Sequence, residues 1–213
     1  MPKKLKFVIA STFIFCLSQL SNAQITNAKV GIKGGVNFSN LYTQDVDDNN
    51  VLTNFNLGLF AKLPITEMFA IQPELNYSGK GSRLTYNNLF AKGTAKFNLA
   101  YLEIPVLAVI NITENFNIHA GPYAAYLLSA NVKNDATNNT FDFENNFEAE
   151  DFNRFDVGAS VGLGIDLDSF SVGARYNYGL SNIGKQRTFL GTSYTFPDAK
   201  NSVVNIYASF SFN

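Results

Sequence analysis

Residues 97–128 read FNLAYLEIPVLAVINITENFNIHAGPYAAYLL, two long segments around a short polar turn at 111–115. Ala100, Leu102, Ile104, Val106, Ala108 and Ile110 form an apolar file at period two; Phe116, Ile118, Ala120, Ala124 and Tyr126 form a second. Successive residues of a strand face opposite sides, so each file is one face of a strand. Tyr101, Glu103, Asn117 and His119 fall on the other face. A soluble sandwich buries its apolar face, whereas a membrane barrel turns it to lipid and keeps the polar face for the lumen.

The same alternation recurs six more times. The segments span 29–41, 54–63, 68–80, the two above, 154–167, 170–180 and 201–212. The cleanest sets Phe155, Val157, Ala159, Val161, Leu163, Ile165 and Leu167 against Asp156, Gly158, Ser160, Gly162, Gly164 and Asp166. Short turns near residues 65, 113 and 168 alternate strictly with long polar loops at 42–53, 81–96, 131–153 and 181–200. That asymmetry of short and long connections is the pattern of outer-membrane barrels. The segments also exceed the usual soluble strand of about 5–6 residues, and they suffice to cross a bilayer at a tilt. The polar face carries Gly and Ser beside isolated charges, as a narrow lumen filled by side chains requires. The expectation is all-β: an eight-stranded, antiparallel, up-and-down transmembrane β-barrel. Pro73, Pro105 and Pro122 fall inside strands that have no free edge, so bulges or kinks are expected there.

Composition fits a membrane wall. Only 15% of residues are charged, with 20 Phe, 10 Tyr and no Trp; a soluble domain carries about 25% charged residues. Residues 1–23 read as a cleaved secretory signal. Lys3, Lys4 and Lys6 precede an apolar run, and Ser21-Asn22-Ala23 forms the cleavage site, leaving 24–213 as the barrel domain. The apolar run is shorter than a spanning helix needs. Cys16 falls within this segment, so the mature chain has no cysteine for disulfides or thiol catalysis. Taking three lysines from 16 basic residues leaves 13 against 17 acids, a net charge of −4, which offers nothing to nucleic acid.

On the inward parity stand Lys33, Lys62 and Arg175 against Glu74, Glu103 and Asp156. Three charges balance three, and burial demands that they pair. Glu103 is therefore expected to meet Lys33, Lys62 or Arg175. Tyr101 and His119 are further lumen-facing polar groups. His119 has no second histidine or cysteine near it in sequence, so no metal is expected. Gly121 stands two residues on, so its own strand supplies no nucleophile for it to activate, and no enzyme activity is expected. The run 45–50 (DVDDNN) lacks the glycine and closing glutamate of a calcium loop. Asp142, Glu144, Glu148, Glu150 and Asp151 form a diffuse acidic cluster, while Arg83, Lys92, Lys96, Lys185 and Arg187 lie on the second and fourth loops.

Residues 31–37 (GIKGGVN), 71–81 (IQPELNYSGKG), 101–105 (YLEIP), 120–123 (AGPY), 155–164 (FDVGASVGLG) and 174–183 (ARYNYGLSNI) together resemble the PorT-type outer-membrane β-barrel family of Bacteroidetes. The terminal FSFN is similar to the aromatic signal read by the barrel-assembly machinery. The resemblance implies fold and outer-membrane location, and no catalytic residues. It also implies, by analogy, an accessory place in a protein-secretion system. The expected role is structural or surface-interacting within the envelope, with a lumen plugged by side chains and no cofactor; the alternative is a narrow channel for small solutes or ions. Expected partners are outer-membrane lipid and lipopolysaccharide, the assembly machinery, and an envelope protein reached through the long loops.

Overall fold

The computed structural model describes residues 28–42, 49–87, 92–136, 143–145, 152–189, 192–196 and 199–212. Eight long strands form its wall: β1 (Lys29–Tyr42), β2 (Leu52–Pro64), β3 (Phe69–Asn87), β4 (Lys92–Asn111), β5 (Phe116–Ala136), β6 (Phe155–Leu167), β7 (Phe170–Gly179) and β8 (Lys200–Ser211). Each strand runs antiparallel to its sequence neighbours, and β1 pairs with β8 from Gly31↔Ser211 to Tyr42↔Lys200. That last pairing closes the sheet into a barrel and leaves no edge strand.

The period-two pattern decides which side each residue takes. The apolar files point outward: Leu57, Val161 and Phe155 are 60%, 57% and 68% exposed. The alternate positions point inward, and Lys33, Asn37, Glu74, Glu103, His119, Asp156 and Arg175 are all buried. This is the reverse of a soluble protein, where large apolar side chains go inside.

The three short turns cluster at one end of the barrel. Two are near copies in sequence, Ile65-Thr66-Glu67-Met68-Phe69 and Ile112-Thr113-Glu114-Asn115-Phe116. In each, the backbone N–H groups of the Ile and Thr donate to the Phe carbonyl, and the Thr Oγ1 accepts from the Phe N–H at 3.0 Å. The threonine hydroxyl thus serves a backbone donor that would otherwise be left at the turn. The third turn is the tight Asp168-Ser169 link, where Asp168 takes φ = 52°, a left-handed conformation that short polar side chains tolerate.

Two expectations need correction. The segment 81–96 is not a loop for most of its length: β3 and β4 stay paired up to Asn87↔Lys92, and β5 follows β4 up to Gly93↔Ala136. Short strands lie in the other long connections, at Asn49–Asn50, at Phe143–Asn145 and in a hairpin of Lys185–Phe189 with Thr192–Phe196. Beyond the bilayer no lipid selects an apolar outward file, so the sequence loses the alternation that marks the rest.

The prolines do not shift the register either. Pairing of β3 with β4 stops at Pro73↔Val106 and resumes at Asn76↔Glu103, in the same register. Pairing of β4 with β5 lapses between Pro105↔Tyr123 and Ala108↔Ala120, again without a slip. Across Pro122 the β5–β6 ladder is continuous. The β4–β5 register shifts instead between Ala100 and Tyr101, where β5 carries one extra residue at Leu128. Losing one N–H removes a ladder bond, but an extra residue is needed to change the register. The signal segment with Cys16, the acidic run 45–48, and Asp142, Glu148, Glu150 and Asp151 lie outside the described residues.

Candidate functional site in the barrel lumen

The inward side chains form layers along the barrel axis. Near the short turns, Lys62 Nζ lies 2.8 Å from Asp166 Oδ2 and donates to Asn111 Oδ1 at 3.2 Å. Asn117 Nδ2 donates to the same Asp166 oxygen at 3.0 Å. A small apolar cluster of Ala70, Leu107 and Val109 also faces inward.

The next layer centres on Glu74. Arg175 grips it with two parallel bonds, Nη1 to Oε2 at 2.8 Å and Nη2 to Oε1 at 2.9 Å. Lys33 Nζ approaches Oε2 at 3.2 Å, while Gln72 and Asn76 donate to one oxygen each. A bidentate guanidinium–carboxylate pair is among the strongest charge-assisted contacts. Here the remaining lone pairs are also satisfied, as a buried charge requires. His119 joins this layer. Arg175 Nε donates to His119 Nε2 at 3.3 Å, so the ring hydrogen sits on Nδ1 and donates to Asn117 Oδ1 at 3.1 Å. The Tyr207 ring carries Lys33 Nζ 3.8 Å above its centroid and the Arg175 guanidinium at 5.4 Å. Its phenol end lies over Gly173, where an added Cβ would stand 2.5 Å from the phenol oxygen.

Towards the long loops, Lys80 Nζ lies 2.6 Å from Glu103 Oε2 and 3.4 Å from Asp156 Oδ2. Tyr123 and Asn201 donate to Asp156 Oδ2 at 3.2 and 2.8 Å. Between these two layers, Asn37 Oδ1 accepts from Asn56 and Asn205, and Asn37 Nδ2 donates to Ser78 Oγ and the Gly79 carbonyl. Above Lys80 the lumen becomes apolar: Leu41, Phe97, Leu99 and Leu127 pack with Phe152, Ile183 and Ala199 from the connections.

Lys33, Glu74 and Arg175 therefore come together, whereas Glu103 and Asp156 meet none of the cations expected for them. Their partner is Lys80, and the partner of Lys62 is Asp166. Both were legible by parity, since Lys80 continues Glu74, Asn76 and Ser78, and Asp166 continues Gly162 and Gly164. Tyr101 is buried beside this upper layer, with Lys80 Nζ 5.1 Å from its ring centroid. Among the described residues, two cavities lie along the axis. One, of about 40 Å³, opens at the short-turn end beside Lys62, His119 and Asp166; the other, of about 10 Å³, lies between Glu103 and Arg175. Spaces of this size take a few waters and one water respectively. Among the described residues no three His, Cys, Asp or Glu groups are arranged to hold a metal ion.

A family profile described as "Outer membrane protein beta-barrel domain" matches residues 18–184. The chain belongs to that family. This outer-membrane barrel also resembles the solved structure of Ail, the attachment invasion locus protein of Yersinia pestis. The TM-score is 0.50 at 12% identity, over 88% of this chain and 100% of that one. Ail in complex with the heparin analogue sucrose octasulfate gives 0.52 at 14% identity and the same coverage. Neisserial surface protein A gives 0.47 at 12%, over 88% of this chain and 100% of that one. No curated protein matches the sequence. At such identities the structural likeness speaks to fold alone; together with the family match it makes the outward apolar face a lipid-facing one and the outer membrane the barrel's location.

Proposed function

We propose that this outer-membrane barrel is a closed element of the envelope, structural or surface-interacting, rather than a conduit or an enzyme. The observation that carries this reading is the stack of paired charges across the lumen, capped by the apolar cluster around Leu99 and Leu127. An ion crossing the barrel has to part Lys80 from Glu103 and Arg175 from Glu74, each a buried pair whose separation costs several kcal/mol. The finer placement with PorT-type barrels rests on the stretches quoted above, and an accessory role in secretion is the form of surface interaction it suggests. The surrounding lipid and the assembly machinery complete the proposed partners. Planar-bilayer recording of the purified barrel tests the reading. No steps are expected from the wild type, and reproducible single-channel steps would replace the closed barrel with a narrow channel.

A further inference from the structure

Pro73, Pro105 and Pro122 fall on one line across the wall. Pairing of β2 with β3 stops at Phe60↔Glu74 and resumes at Leu63↔Ile71, which sets Ala61 opposite Pro73. In the same way the register sets Glu74 opposite Pro105 and Val106 opposite Pro122. Pro73 and Glu74 are neighbours on β3, as Pro105 and Val106 are on β4, so the three pairs follow one another from β2 to β5. In an antiparallel ladder, opposed residues alternate between pairs that exchange two bonds and pairs that exchange none. A proline in a bonded pair removes one of the two, and the pairing lapses at all three places. The carbonyls of Ala61, Glu74 and Val106 thereby lose the donors that the ladder would give them. On the other side of Pro122 the ladder to β6 is continuous, because there the proline falls at a non-bonded position.

A backbone carbonyl at bilayer depth finds no water on the lipid side, so a missing donor is costly unless the lumen supplies one. The outward side chains of the line, Ala61, Pro73, Val106 and Pro122, carry no donor. The inward amides beside it, Gln72 and Asn76, direct theirs at the Glu74 carboxylate. The two lumen cavities, however, border the line. Phe60, Lys62 and Gln72, around the first gap, line the cavity that opens at the short-turn end; Asn76 and Glu103, which close the second gap, line the inner one. Leu107, in the small apolar cluster, lies beside the third gap. The prolines are carried by β3, β4 and β5, which at 19, 20 and 21 residues are the longest strands of the wall.

We infer that the proline line is a crease built into the wall, at which β2–β5 open locally and lumen water donates to the Ala61 and Glu74 carbonyls. The crease runs beneath the parts of β3, β4 and β5 that rise to the long loops. The pairings among β6, β7, β8 and β1 are unbroken, so flexing is confined to one side of the barrel. The inference rests on the gaps in the ladder and not on the closed lumen, so a conducting barrel would leave it standing.

Hydrogen exchange of the full barrel in lipid nanodiscs, read residue by residue by NMR, tests the inference. The N–H groups of Ala61, Glu74 and Val106 are expected to exchange on the order of tenfold faster than those of Val161, Ala174 and Ile206, which lie in unbroken ladder. Magnetisation transfer from water is expected at Ala61 and Glu74, beside the cavities. Returning the missing N–H should slow one site at a time: P73A acts at Ala61, P105A at Glu74 and P122A at Val106. Each variant is read separately, so one that fails to fold leaves two to decide. Uniform exchange around the wall, or rates that the proline replacements leave unchanged, overturns the crease. So does an absence of water transfer at Ala61 and Glu74 in the wild type, which would leave their carbonyls to C–H contacts from the proline rings.

Discussion

Lys80 Nζ and Glu103 Oε2 stand 2.6 Å apart in the lumen, and neither side chain is more than 3% exposed. The same ammonium reaches Asp156, so one cation holds two carboxylates from different strands. Changing Lys80→Met removes the cation and leaves both carboxylates buried together. A loss of about 3–5 kcal/mol in unfolding free energy is expected. Urea titration of the barrel in lipid vesicles measures it. The double variant K80M/E103Q should recover part of the loss, because it removes one of the stranded charges. A single variant as stable as wild type contradicts the pairing.

Glu74 inverts the stoichiometry, with one carboxylate between Lys33 and Arg175. Glu74→Gln strands two cations and should cost more than Arg175→Lys, which keeps the charge and loses only the two-pronged geometry. For the latter, roughly 1–3 kcal/mol is expected. The order of the two midpoints in the same urea titration is the informative quantity. A more severe Arg175→Lys would place the main support of Arg175 elsewhere, at His119 or Tyr207.

The alternation makes the wall, and the side each residue faces, readable from the sequence. Parity puts Lys33, Lys62, Glu74, Glu103, Asp156 and Arg175 on one face, and of these Lys33, Glu74 and Arg175 meet in the lumen, although they are 41 and 101 residues apart. What it lacked was the relative height of strands, which depends on shear and not on period. Parity therefore cannot show that the partner of Glu103 is Lys80 and not Lys33, Lys62 or Arg175. Lys80 is hard to place because it stands at the last alternating position, just before Gly81 breaks the pattern. The apolar cap was hidden for another reason. At Phe97 and Leu99 the parity is inverted, with apolar side chains inward between Lys96, Asn98 and Ala100; Leu127 sits on the inward parity between Tyr126 and Leu128, and a run apolar on both faces gives no direction. Leu107 and Val109 show the same ambiguity at the other end, and they do face inward.

Gly158 and Gly34 separate two uses of glycine in the wall. A Cβ at Gly158 would press on the Tyr178 carbonyl and stand 2.5 Å from the Tyr123 ring, which lies over this position while its hydroxyl holds Asp156. At Gly34 the nearest atom would be Leu57 Cδ1 at 3.6 Å, an ordinary contact. Gly158→Ala should therefore destabilise by about 1–3 kcal/mol, as overpacking does, and Gly34→Ala should be close to neutral. Equal midpoints for the two variants would mean that both Tyr123 and the β7 backbone at Tyr178 can give way without cost.

Depth in the bilayer gives the last prediction. Val161 is the middle residue of β6, and Phe155 is its first, at the long-loop end. Arginine on the lipid face costs about 2–4 kcal/mol at the midplane and about 0–1 near an interface. Val161→Arg should accordingly lower the folding free energy in vesicles by several times more than Phe155→Arg. Leu59, near the middle of β2 on another part of the wall and 52% exposed, supplies the control. If lipid surrounds the barrel, Leu59→Arg should cost about as much as Val161→Arg. A silent Val161→Arg beside a costly Leu59→Arg would mean that the β6 face meets water or a protein partner at mid-depth. The reverse pattern would say the same of the β2 face.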